Sequence, residues 1–336
     1  MAWFNQTGAE SDVVISSRIR FARNIAGIPF PGRMTDAQRS EVIEKVTKAL
    51  SPANLETIDM VAKSPLEAQS LVEEHFISPA FAREKAPHTL LLSADRTAAV
   101  MIGEEDHVRI QTILPGLSLG EAYKAACTLD DLLDGGAEIA YSEDVGYLTQ
   151  CPTNLGTAMR ASVMLHLPAM TLAGQIGSVA RSLSKLGITV RGLYGEGSEA
   201  AGALYQVSNS ITMGLTEQEI LDKLEKVARQ LVESERKLRD TLKSDSFARL
   251  CDRVMRAFGV MKNAYMLSSE EFLKLWSDVR LGVSLGMITD IDYAKLGGIL
   301  IAALPATLLL TAGSPEDTPA AERDVLRAKA VREAAA

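Results

Sequence analysis

Three β-rich runs follow one another closely in the chain, and their spacing restricts the fold. Thr89–Ser93, Ala98–Ile102 and Val108–Leu114 are separated by only a few residues each. Parallel strands need a crossover of about a dozen residues or more, so runs this close together pair as antiparallel hairpins. The sequence therefore predicts an α+β fold in which an antiparallel sheet is flanked by helices.

Further strands and helices before residue 215 are indicated by apolar periodicity and by Gly, Pro or charged residues at their ends. The other predicted strands are Asp12–Ser16, Glu138–Tyr141, Ile188–Leu193 and Ala203–Ser208. The predicted helices are Asp36–Leu50, Leu119–Leu133 and a pair between Leu155 and Leu186 that breaks before Pro168. Ser118 and Glu121 have the spacing of a capping box, which predicts the start of the second helix.

From Thr216 the pattern becomes helical, because Ile220, Leu224, Val227 and Leu231 recur on one helical face. We therefore predict two domains, an α+β domain over residues 1–215 and an all-helical domain over residues 216–336. A turn at 312–319 precedes a last predicted helix at 320–336. The apolar run Gly297–Leu310 is too short to span a bilayer and contains a proline, so a buried core helix is expected there.

Composition excludes several classes of function. The formal charge of −8 argues against nucleic-acid binding by the whole molecule. Three cysteines and four histidines show neither a disulfide framework nor metal-ligand spacing, so no protein metal site is predicted. The N-terminus lacks the pattern of a signal peptide, and we expect a cytoplasmic protein with reduced thiols and no membrane segment.

Five arginines lie beside turns or strand ends of the first domain and are candidates for binding phosphate. They are Arg18, Arg20, Arg109, Arg160 and Arg191. Alternation along a strand places Arg18 and Arg20 on the same face. Arginine offers a planar, forked and permanently charged donor to phosphate oxygens. The chain has neither GxxxxGK[ST] nor GxGxxG, so a bound triphosphate would need several such arginines. Taken singly, each could equally be a solvated surface residue.

The segment Cys151–Val163 combines a cysteine, a Pro/Asn/Gly turn and Arg160. The turn is predicted to run into an apolar helix, where backbone amides and a cation could meet an anion. Cys151 could act as a thiolate near the arginines or could be a small buried hydrophobic residue.

Taken together, these segments resemble the signature motifs of the phosphagen kinases. The family motifs S-x-R-x-R, E-E-D-H-x-R, C-P-[ST]-N-x-G-T with a following arginine, and R-G-x-x-G-E correspond here to Ser16–Arg20, Glu104–Arg109, Cys151–Arg160 and Arg191–Glu196. The resemblance implies transfer of the γ-phosphate of ATP, bound with Mg²⁺, to a guanidinium. No carboxylate cluster for the ion stands out, so the metal is expected to be carried by the nucleotide.

The resemblance also implies roles for individual residues. Glu105 and Glu196 would hold the acceptor guanidinium, with Cys151 beside them. The implied ATP-binding residues are Ser16, Ser17, Arg18, Ile19, Arg20, His75, Arg109, Arg160, Ala161, Ser162, Val163, Met164, Arg191, Gly192, Leu193, Tyr194, Gly195 and Glu196. His75 would pack on the adenine, although it could also be a structural histidine.

Two features point to a protein as the acceptor. Phosphagen kinases that act on free metabolites carry a helical domain ahead of S-x-R-x-R, and here that motif begins at residue 16. In addition, Arg323-Asp324-Val325-Leu326-Arg327-Ala328 resembles the RDxxRA motif with which bacterial protein arginine kinases bind phosphoarginine. The resemblance assigns that role to Arg323, Asp324, Arg327 and Ala328, which could otherwise be a solvated helical face.

The resemblance to the bacterial protein arginine kinases has further implications. It implies protein substrates with exposed arginines, a heat-shock repressor among them. It also implies a zinc-finger activator, delivery of marked proteins to a Clp-type chaperone and protease, and a homodimer. Two alternatives remain at this point: a kinase of a free guanidino metabolite, and a phosphoarginine-binding adaptor with weak catalysis.

Overall fold

A single antiparallel sheet of eight strands dominates the computed structural model, which describes residues 2–193 and 200–335. The strands are β1 (Val14–Arg23), β2 (Glu56–Asp59), β3 (Thr89–Leu92), β4 (Ala98–Ile102), β5 (Val108–Pro115), β6 (Tyr141–Ser142), β7 (Gly146–Tyr147), β8 (Met159–His166), β9 (Ile188–Gly192) and β10 (Leu204–Asn209). Their order in the large sheet is β2-β3-β4-β5-β1-β8-β10-β9, and β6 and β7 form a separate hairpin.

Helices flank this sheet and make up the C-terminal part of the chain. They are α1 (Asp36–Ala49), α2 (Pro65–Glu73), α3 (Leu119–Gly136), α4 (Pro168–Leu172), α5 (Ile176–Ser184), α6 (Glu217–Asn263), α7 (Ser269–Ser284), α8 (Tyr293–Ala302), α9 (Pro305–Ala312) and α10 (Ala320–Ala335). The predicted α+β fold class, with its antiparallel sheet and its helical C-terminal region, is confirmed.

Alternation along β1 separates the two faces of the sheet. Ile19 and Phe21 are buried on one face, in the core cluster that α3 and the first half of α6 complete. Arg18 and Arg20 project to the other face. Because side chains in a strand alternate with a period of two, a single strand supplies both the apolar core and a row of arginines.

One helix predicted from the sequence is a strand in the structure. The segment after the Cys151 turn forms β8, which pairs with β1 on one side and with β10 on the other. Seven of its eight residues are buried, so its side chains are largely apolar on both faces and lack clear alternation. That pattern cannot be distinguished from a buried helix by periodicity alone.

Smaller differences concern the ends of elements. The strand predicted at Asp12–Ser16 continues to Arg23. In the predicted Glu138–Tyr141 run, Ile139 makes only an isolated bridge to Ile25, and Tyr141 begins the short strand β6. Ser118 makes no capping hydrogen bond, because its hydroxyl donates to the carbonyl oxygen of Pro115 instead. The apolar run at 297–310 is buried as expected, but it divides at Pro305 into α8 and α9.

Helix α6 contributes to two hydrophobic cores. Its first half, including Leu224 and Val227, packs in the sheet core, whereas Leu250 and Val254 pack in the core of the C-terminal helices. The helical backbone is interrupted between these halves at Ser246 (φ −142°, ψ 31°). The predicted boundary at residue 215 thus marks where the chain becomes helical, and the change of core comes about thirty residues later.

A buried carboxylate links α2 to the C-terminal helices. Glu73, at the end of α2, accepts hydrogen bonds from the backbone amides of Ala306 and Thr307 (2.9 and 2.8 Å) and from the Thr307 hydroxyl (2.8 Å). These amides are at the N-terminus of α9, where helical N–H groups have no partner within the helix. The side chain of Glu73 therefore caps a helix more than 200 residues away in sequence.

Among the described residues, no single helix is long and apolar enough to cross a membrane. One bent pair, α8 with α9 at 83°, meets the length and composition criteria when its two helices are taken together.

Replacing Glu73 by alanine is expected to loosen the attachment of α9. Each hydrogen bond to a charged group contributes about 1.5–3 kcal/mol, so Glu73→Ala should lower the free energy of unfolding by roughly 2–4 kcal/mol. Chemical denaturation measures this change. Gln69→Ala, at an exposed position of the same helix, is the control and should change stability by less than about 0.5 kcal/mol. Equal stability of the two variants would contradict the proposed cap.

Candidate active site

Four arginines lie side by side on the polar face of the sheet. In the strand register Arg20 is directly opposite Arg160, and Arg18 is opposite Ser162. On the other side of β1, Ala22 pairs with Arg109. Directly paired residues project to the same face, so Arg18, Arg20, Arg109 and Arg160 converge on one surface. Arg191 on β9 lies farther along the same face, opposite Gln206.

The crowding of like charges is visible in the pKa values. Burial, followed by repulsion from Arg160 and Arg109, lowers the pKa of Arg18 to about 10. Burial and the same cluster hold the pKa of Arg20 well below its usual range, and Glu104 offsets this effect only in part. The pKa of Arg160 is lowered by burial, Arg191 and Arg109. Like charges directly opposite each other on a sheet are destabilising, and carboxylates of the described residues form ion pairs with Arg109 alone in this cluster.

Among residues 2–193 and 200–335, carboxylates form ion pairs with only one member of the cluster. Arg109 pairs with Glu104 at 2.7 Å and with Glu105 at 3.1 Å. In the described part of the chain, neither Arg18 nor Arg20 forms an ion pair with a carboxylate. The buried Nε of Arg160 has no hydrogen-bond partner there either. These donors are therefore available to an anion.

Two adjoining cavities lie over the arginines. The larger is a cleft of about 300 Å³ lined by Arg20, Phe21, Ala22, Glu105, Arg109, Cys151, Thr153, Asn154, Ala158, Met159 and Arg160. The smaller is lined by Ser16, Arg18, His75, Ile113, Ser162, Met164, Leu193 and Gln206. Neighbouring residues of β1 and β8 line the two cavities, which are therefore close together on the arginine face.

Glu105 and Cys151 both line the larger cleft. The side chain of Glu105 is 41% exposed, whereas that of its neighbour Glu104 is 5% exposed. The Cys151 thiol lies 3.0 Å from the Thr153 hydroxyl. An exposed carboxylate and a thiol at one end of an arginine-lined cleft can bind a cation next to an anion.

His75 lies at the opposite end, beside Arg18. His75 follows the C-cap residue of α2 and has a positive φ of 65°. Burial and the nearby Arg18 lower the pKa of His75 to about 3, so the imidazole is neutral at neutral pH. Its ring is 5.8 Å from that of Trp3, measured between centroids. A neutral ring in this position suits stacking with a flat, uncharged group.

Alternation divides the contiguous runs that the motifs assigned to ATP binding. Ser17, Ile19, Ala161 and Val163 are buried on the opposite face, within or beside the sheet core. A ligand on the arginine face cannot contact these four side chains. Their assignment as ATP-binding residues is therefore wrong as far as side-chain contacts are concerned. Ser16, Ser162, Met164 and Leu193 line the smaller cavity. Tyr194, Gly195 and Glu196 lie outside the described residues.

The turn that carries Cys151 is attached to the loop that carries Glu105 through a buried aspartate. Asp106 Oδ1 accepts hydrogen bonds from the Asn24 side chain (2.7 Å) and from the backbone amide of Gln150 (2.8 Å). Gln150 directly precedes Cys151. Asp106 therefore fixes the spacing between the carboxylate and the thiol.

The C-terminal RDxxRA motif lies on α10, apart from this cleft. Arg327 is 2% exposed and donates to the carbonyl oxygens of Ala303 and Leu267 and to Asp324. Ala328 is also buried. Arg323 and Asp324 are partly exposed. The alternative of a solvated helical face is therefore wrong for Arg327, because its guanidinium joins α10 to neighbouring segments.

Three polar residues of the site were not identified from the sequence. Glu104 holds Arg109 and accepts a hydrogen bond from the Ser78 hydroxyl (2.5 Å), while Asp106 holds Gln150. Glu104 and Asp106 belong to the E-E-D-H-x-R motif, which could have pointed to them. Ser78 has no sequence signal, since its position depends on the turn after α2.

Two family models match successive parts of the chain. A family model described as ATP:guanido phosphotransferase, C-terminal catalytic domain, matches residues 39–238. A second, described as Protein-arginine kinase McsB C-terminal domain, matches residues 248–336.

Two curated relatives match over nearly their full lengths. The protein-arginine kinase of Caldanaerobacter subterraneus subsp. tengcongensis is 45% identical, over 96% of this chain and 96% of the relative. That of Symbiobacterium thermophilum is 43% identical, over 98% of this chain and 95% of the relative.

Solved structures share the fold. The duplicated taurocyamine kinase from Schistosoma mansoni with bound transition state analog components superposes with a TM-score of 0.63 at 24% identity. That match covers 79% of this chain and 40% of the duplicated enzyme. A lombricine kinase gives a TM-score of 0.59 at 24% identity, over 70% of each chain.

Two substitutions of Asp106 should separate its acceptor oxygen from its charge. Asp106→Asn keeps a carbonyl oxygen at the Oδ1 position and should preserve both hydrogen bonds. Asp106→Ala removes them and should free the Cys151 turn, because a buried donor left without a partner costs about 1–3 kcal/mol. The rate of Cys151 alkylation, measured with Cys127 and Cys251 replaced by serine, should rise several-fold in Asp106→Ala only. Equal rates in the two variants would refute this role.

Proposed function

The chain belongs to the protein-arginine kinases of the ATP:guanido phosphotransferase family, and from this premise we propose how its residues carry out the transfer. The enzyme moves the γ-phosphate of ATP onto arginine side chains of proteins, giving ADP and protein phosphoarginine. The observation that carries the assignment of its site is the arginine cluster on the polar face of the sheet. Three of its members lack a carboxylate partner among the described residues.

The nucleotide phosphates supply the missing negative charge. Arg18, Arg20 and Arg160 bind the phosphate chain along β1 and β8, Arg109 joins them from β5, and Arg191 closes the far side. Phosphoryl transfer needs mainly positioning and neutralisation of charge, which several fixed guanidinium groups provide. His75 and the small cavity around it then receive the adenine.

Mg²⁺ comes with the nucleotide and neutralises charge on its phosphates. Among the described residues, no group of three or more His, Cys, Asp or Glu side chains could hold a metal ion. Phosphate oxygens and water are therefore expected to provide most of its ligands.

Glu105 orients the acceptor guanidinium at the other end of the cleft. An arginine pKa above ~12 and a glutamate pKa near ~4.3 make full deprotonation before transfer strongly uphill. The carboxylate instead aligns the attacking nitrogen with the γ-phosphate and accepts the proton as the N–P bond forms and the O–P bond to ADP breaks. Glu196 is the proposed second carboxylate on the evidence of its motif. Cys151 lies beside the acceptor nitrogen and forms no covalent intermediate.

The C-terminal helices are proposed to regulate the kinase. Arg323 and Asp324, the accessible members of the RDxxRA motif, would contact a phosphoarginine, while Arg327 and Ala328 hold α10 in place. We also propose that these helices form a homodimer, since Phe247, Met255, Tyr265 and Met266 are exposed apolar or aromatic residues. A strictly monomeric mass in solution would contradict the dimer.

The cellular partners follow from family membership and remain proposals. They are a zinc-finger activator, a Clp-type chaperone and protease that receives marked proteins, and a heat-shock repressor among the substrates. A cytoplasmic location is part of the same proposal. The chemistry itself is tested by mass spectrometry under neutral conditions, which should find acid-labile phosphate on arginine of a protein incubated with ATP. Phosphate transferred only to free arginine would overturn the assignment.

Glu105→Gln should separate catalysis from nucleotide binding. The amide can still contact the acceptor but accepts the proton poorly, so kcat should fall by about 100-fold or more while the Kd for ATP stays within twofold. Initial rates and equilibrium titration measure the two effects. Glu121→Gln, on the exposed surface of α3, serves as the control. A kcat for Glu105→Gln within threefold of the parent enzyme would remove Glu105 from the mechanism.

Two arginines of β1 should respond in opposite ways to replacement by methionine. Arg20→Met relieves repulsion, so the free protein should gain about 1 kcal/mol of stability while its affinity for ATP falls at least tenfold. Arg23→Met leaves Asp130, its partner at 2.6 Å, without a counter-charge and should lose roughly 3 kcal/mol. Thermal unfolding and ATP titration measure both quantities. A loss of stability in Arg20→Met would show that the cluster is not strained.

A further inference from the structure

We propose that a pocket on the back of the Cys151 turn binds a lysine or arginine side chain of the substrate protein, close in sequence to the acceptor arginine. This tyrosine pocket is formed by Tyr123, Tyr141, Tyr147 and Glu217. The inference rests on the proposed function, since it concerns how the same site recognises a polypeptide.

The tyrosine pocket and the catalytic cleft share one wall. The pocket has a volume of about 460 Å³, and Gly156 and Thr157 line it. Asn154 and Ala158 line the cleft. Two residues of extended chain span at most about 7 Å, so the two sites are close neighbours across this turn. A polypeptide with its acceptor arginine in the cleft can therefore place a residue within about four positions of that arginine in the pocket.

The wall is fixed, because backbone contacts hold it on both sides. Gly156 has a φ of +95°, and a Cβ added there would lie 2.3 Å from the carbonyl oxygen of Thr212. The Thr212 hydroxyl donates to the carbonyl oxygens of Thr153 and Leu155 (3.0 and 2.7 Å). A residue bound in the pocket therefore has a defined position relative to Cys151.

The lining of the pocket suits a cation. Tyr141 is 59% exposed and packs edge to face on Tyr147, with ring centroids 5.3 Å apart. The Tyr123 hydroxyl donates to Glu217 at 2.5 Å, so this carboxylate is held at the pocket wall. Aromatic faces together with a carboxylate attract Lys and Arg side chains. The protein already uses this pairing, since the Arg23 guanidinium lies 3.5 Å from the centroid of the Tyr147 ring.

Charge around the pocket favours the same occupant. Between Lys124 and Arg160 the chain contains six acidic residues and no lysine or arginine. These are Asp130, Asp131, Asp134, Glu138, Glu143 and Asp144. Burial raises the pKa of Tyr147, and Asp130, Glu217 and Asp134 raise it further, whereas Arg23 opposes them. These three carboxylates therefore lie near the pocket, and their negative charge favours a basic substrate segment and raises its rate of encounter.

Paired acceptor peptides test the proposal. Each carries one central arginine, with lysines two to four positions away in one peptide and alanines there in the other. The parent enzyme should show a kcat/KM about tenfold higher for the lysine peptide. Tyr141→Ala and Gln218→Lys, which places a positive charge on the pocket rim, should reduce this ratio to within twofold of one. The kcat/KM for the alanine peptide should not change.

Gln230→Lys is the matched control, since it adds the same charge at an exposed position of the same helix about 18 Å away. It should keep the tenfold preference. A preference absent in the parent enzyme, or unchanged in both pocket variants, would overturn the proposal.

A binding measurement separates this inference from the proposed function. A fluorescent lysine-containing peptide without arginine cannot accept phosphate, yet it should bind the parent enzyme with a Kd several-fold lower than that for Gln218→Lys. Binding of this kind without any transfer to protein arginine would overturn the function and keep the pocket. Transfer to protein arginine, with equal Kd values of the peptide for the parent enzyme and the variant, would overturn the pocket and keep the function.

Discussion

Repulsion among the arginines of the polar sheet face is the constraint on which the rest of the structure depends. Arg20 and Arg160 are directly opposed in the strand register, with Arg18 and Arg109 beside them. Such an arrangement is destabilising unless another part of the fold compensates for it. The compensation comes from the other face of the same strands, where Ile19, Phe21 and their neighbours form a continuous apolar core. In the function proposed above, the nucleotide phosphates would remove this repulsion when they bind.

Buried carboxylates position segments that are far apart in sequence. Asp106 holds the turn that carries Cys151, and Glu73 caps α9 from α2. Glu235 of α6 accepts hydrogen bonds from the backbone amides of Ala169 and Met170 at the start of α4 (3.0 and 2.9 Å). In each case an acidic side chain binds the N–H groups of a segment that lacks internal partners. The two ends of the active site and the C-terminal helices are held by this one kind of interaction.

Local patterns predicted those parts of the structure that local physics determines. Closely spaced β-rich runs indicated the antiparallel sheet, and alternation placed Arg18 and Arg20 on one face. The pattern failed at Met159–His166, because a central strand buried on both faces has the composition of a buried helix. It also failed for Arg327, whose guanidinium is buried against the carbonyl groups of Ala303 and Leu267, two residues far from it in sequence. Ser78 escaped notice for the same reason, since its partner Glu104 is distant in sequence.

Resemblance to a family identified the reaction, but it did not predict on which face of the sheet each side chain lies. The motifs consist of consecutive residues, whereas successive side chains of a strand lie on opposite faces of the sheet. Ser17 and Ile19 therefore lie on the core face, whereas Arg18 and Arg20 lie on the face where we propose that the nucleotide binds. Glu104 and Glu105 are likewise adjacent in sequence but differ in exposure. The buried carboxylate of Glu104 holds Arg109 in place, whereas that of Glu105 is open to the cleft.

The two-residue period of β1 has a consequence for how the gene can vary. Insertion or deletion of one codon within Val14–Arg23 would shift the register, moving the arginines into the core and the apolar side chains onto the polar face of the sheet. Such a change would remove stability and catalysis together, and no compensating point substitution elsewhere could restore both. Length variation among descendants of this gene should therefore be confined to its loops, while β1 changes only by substitution.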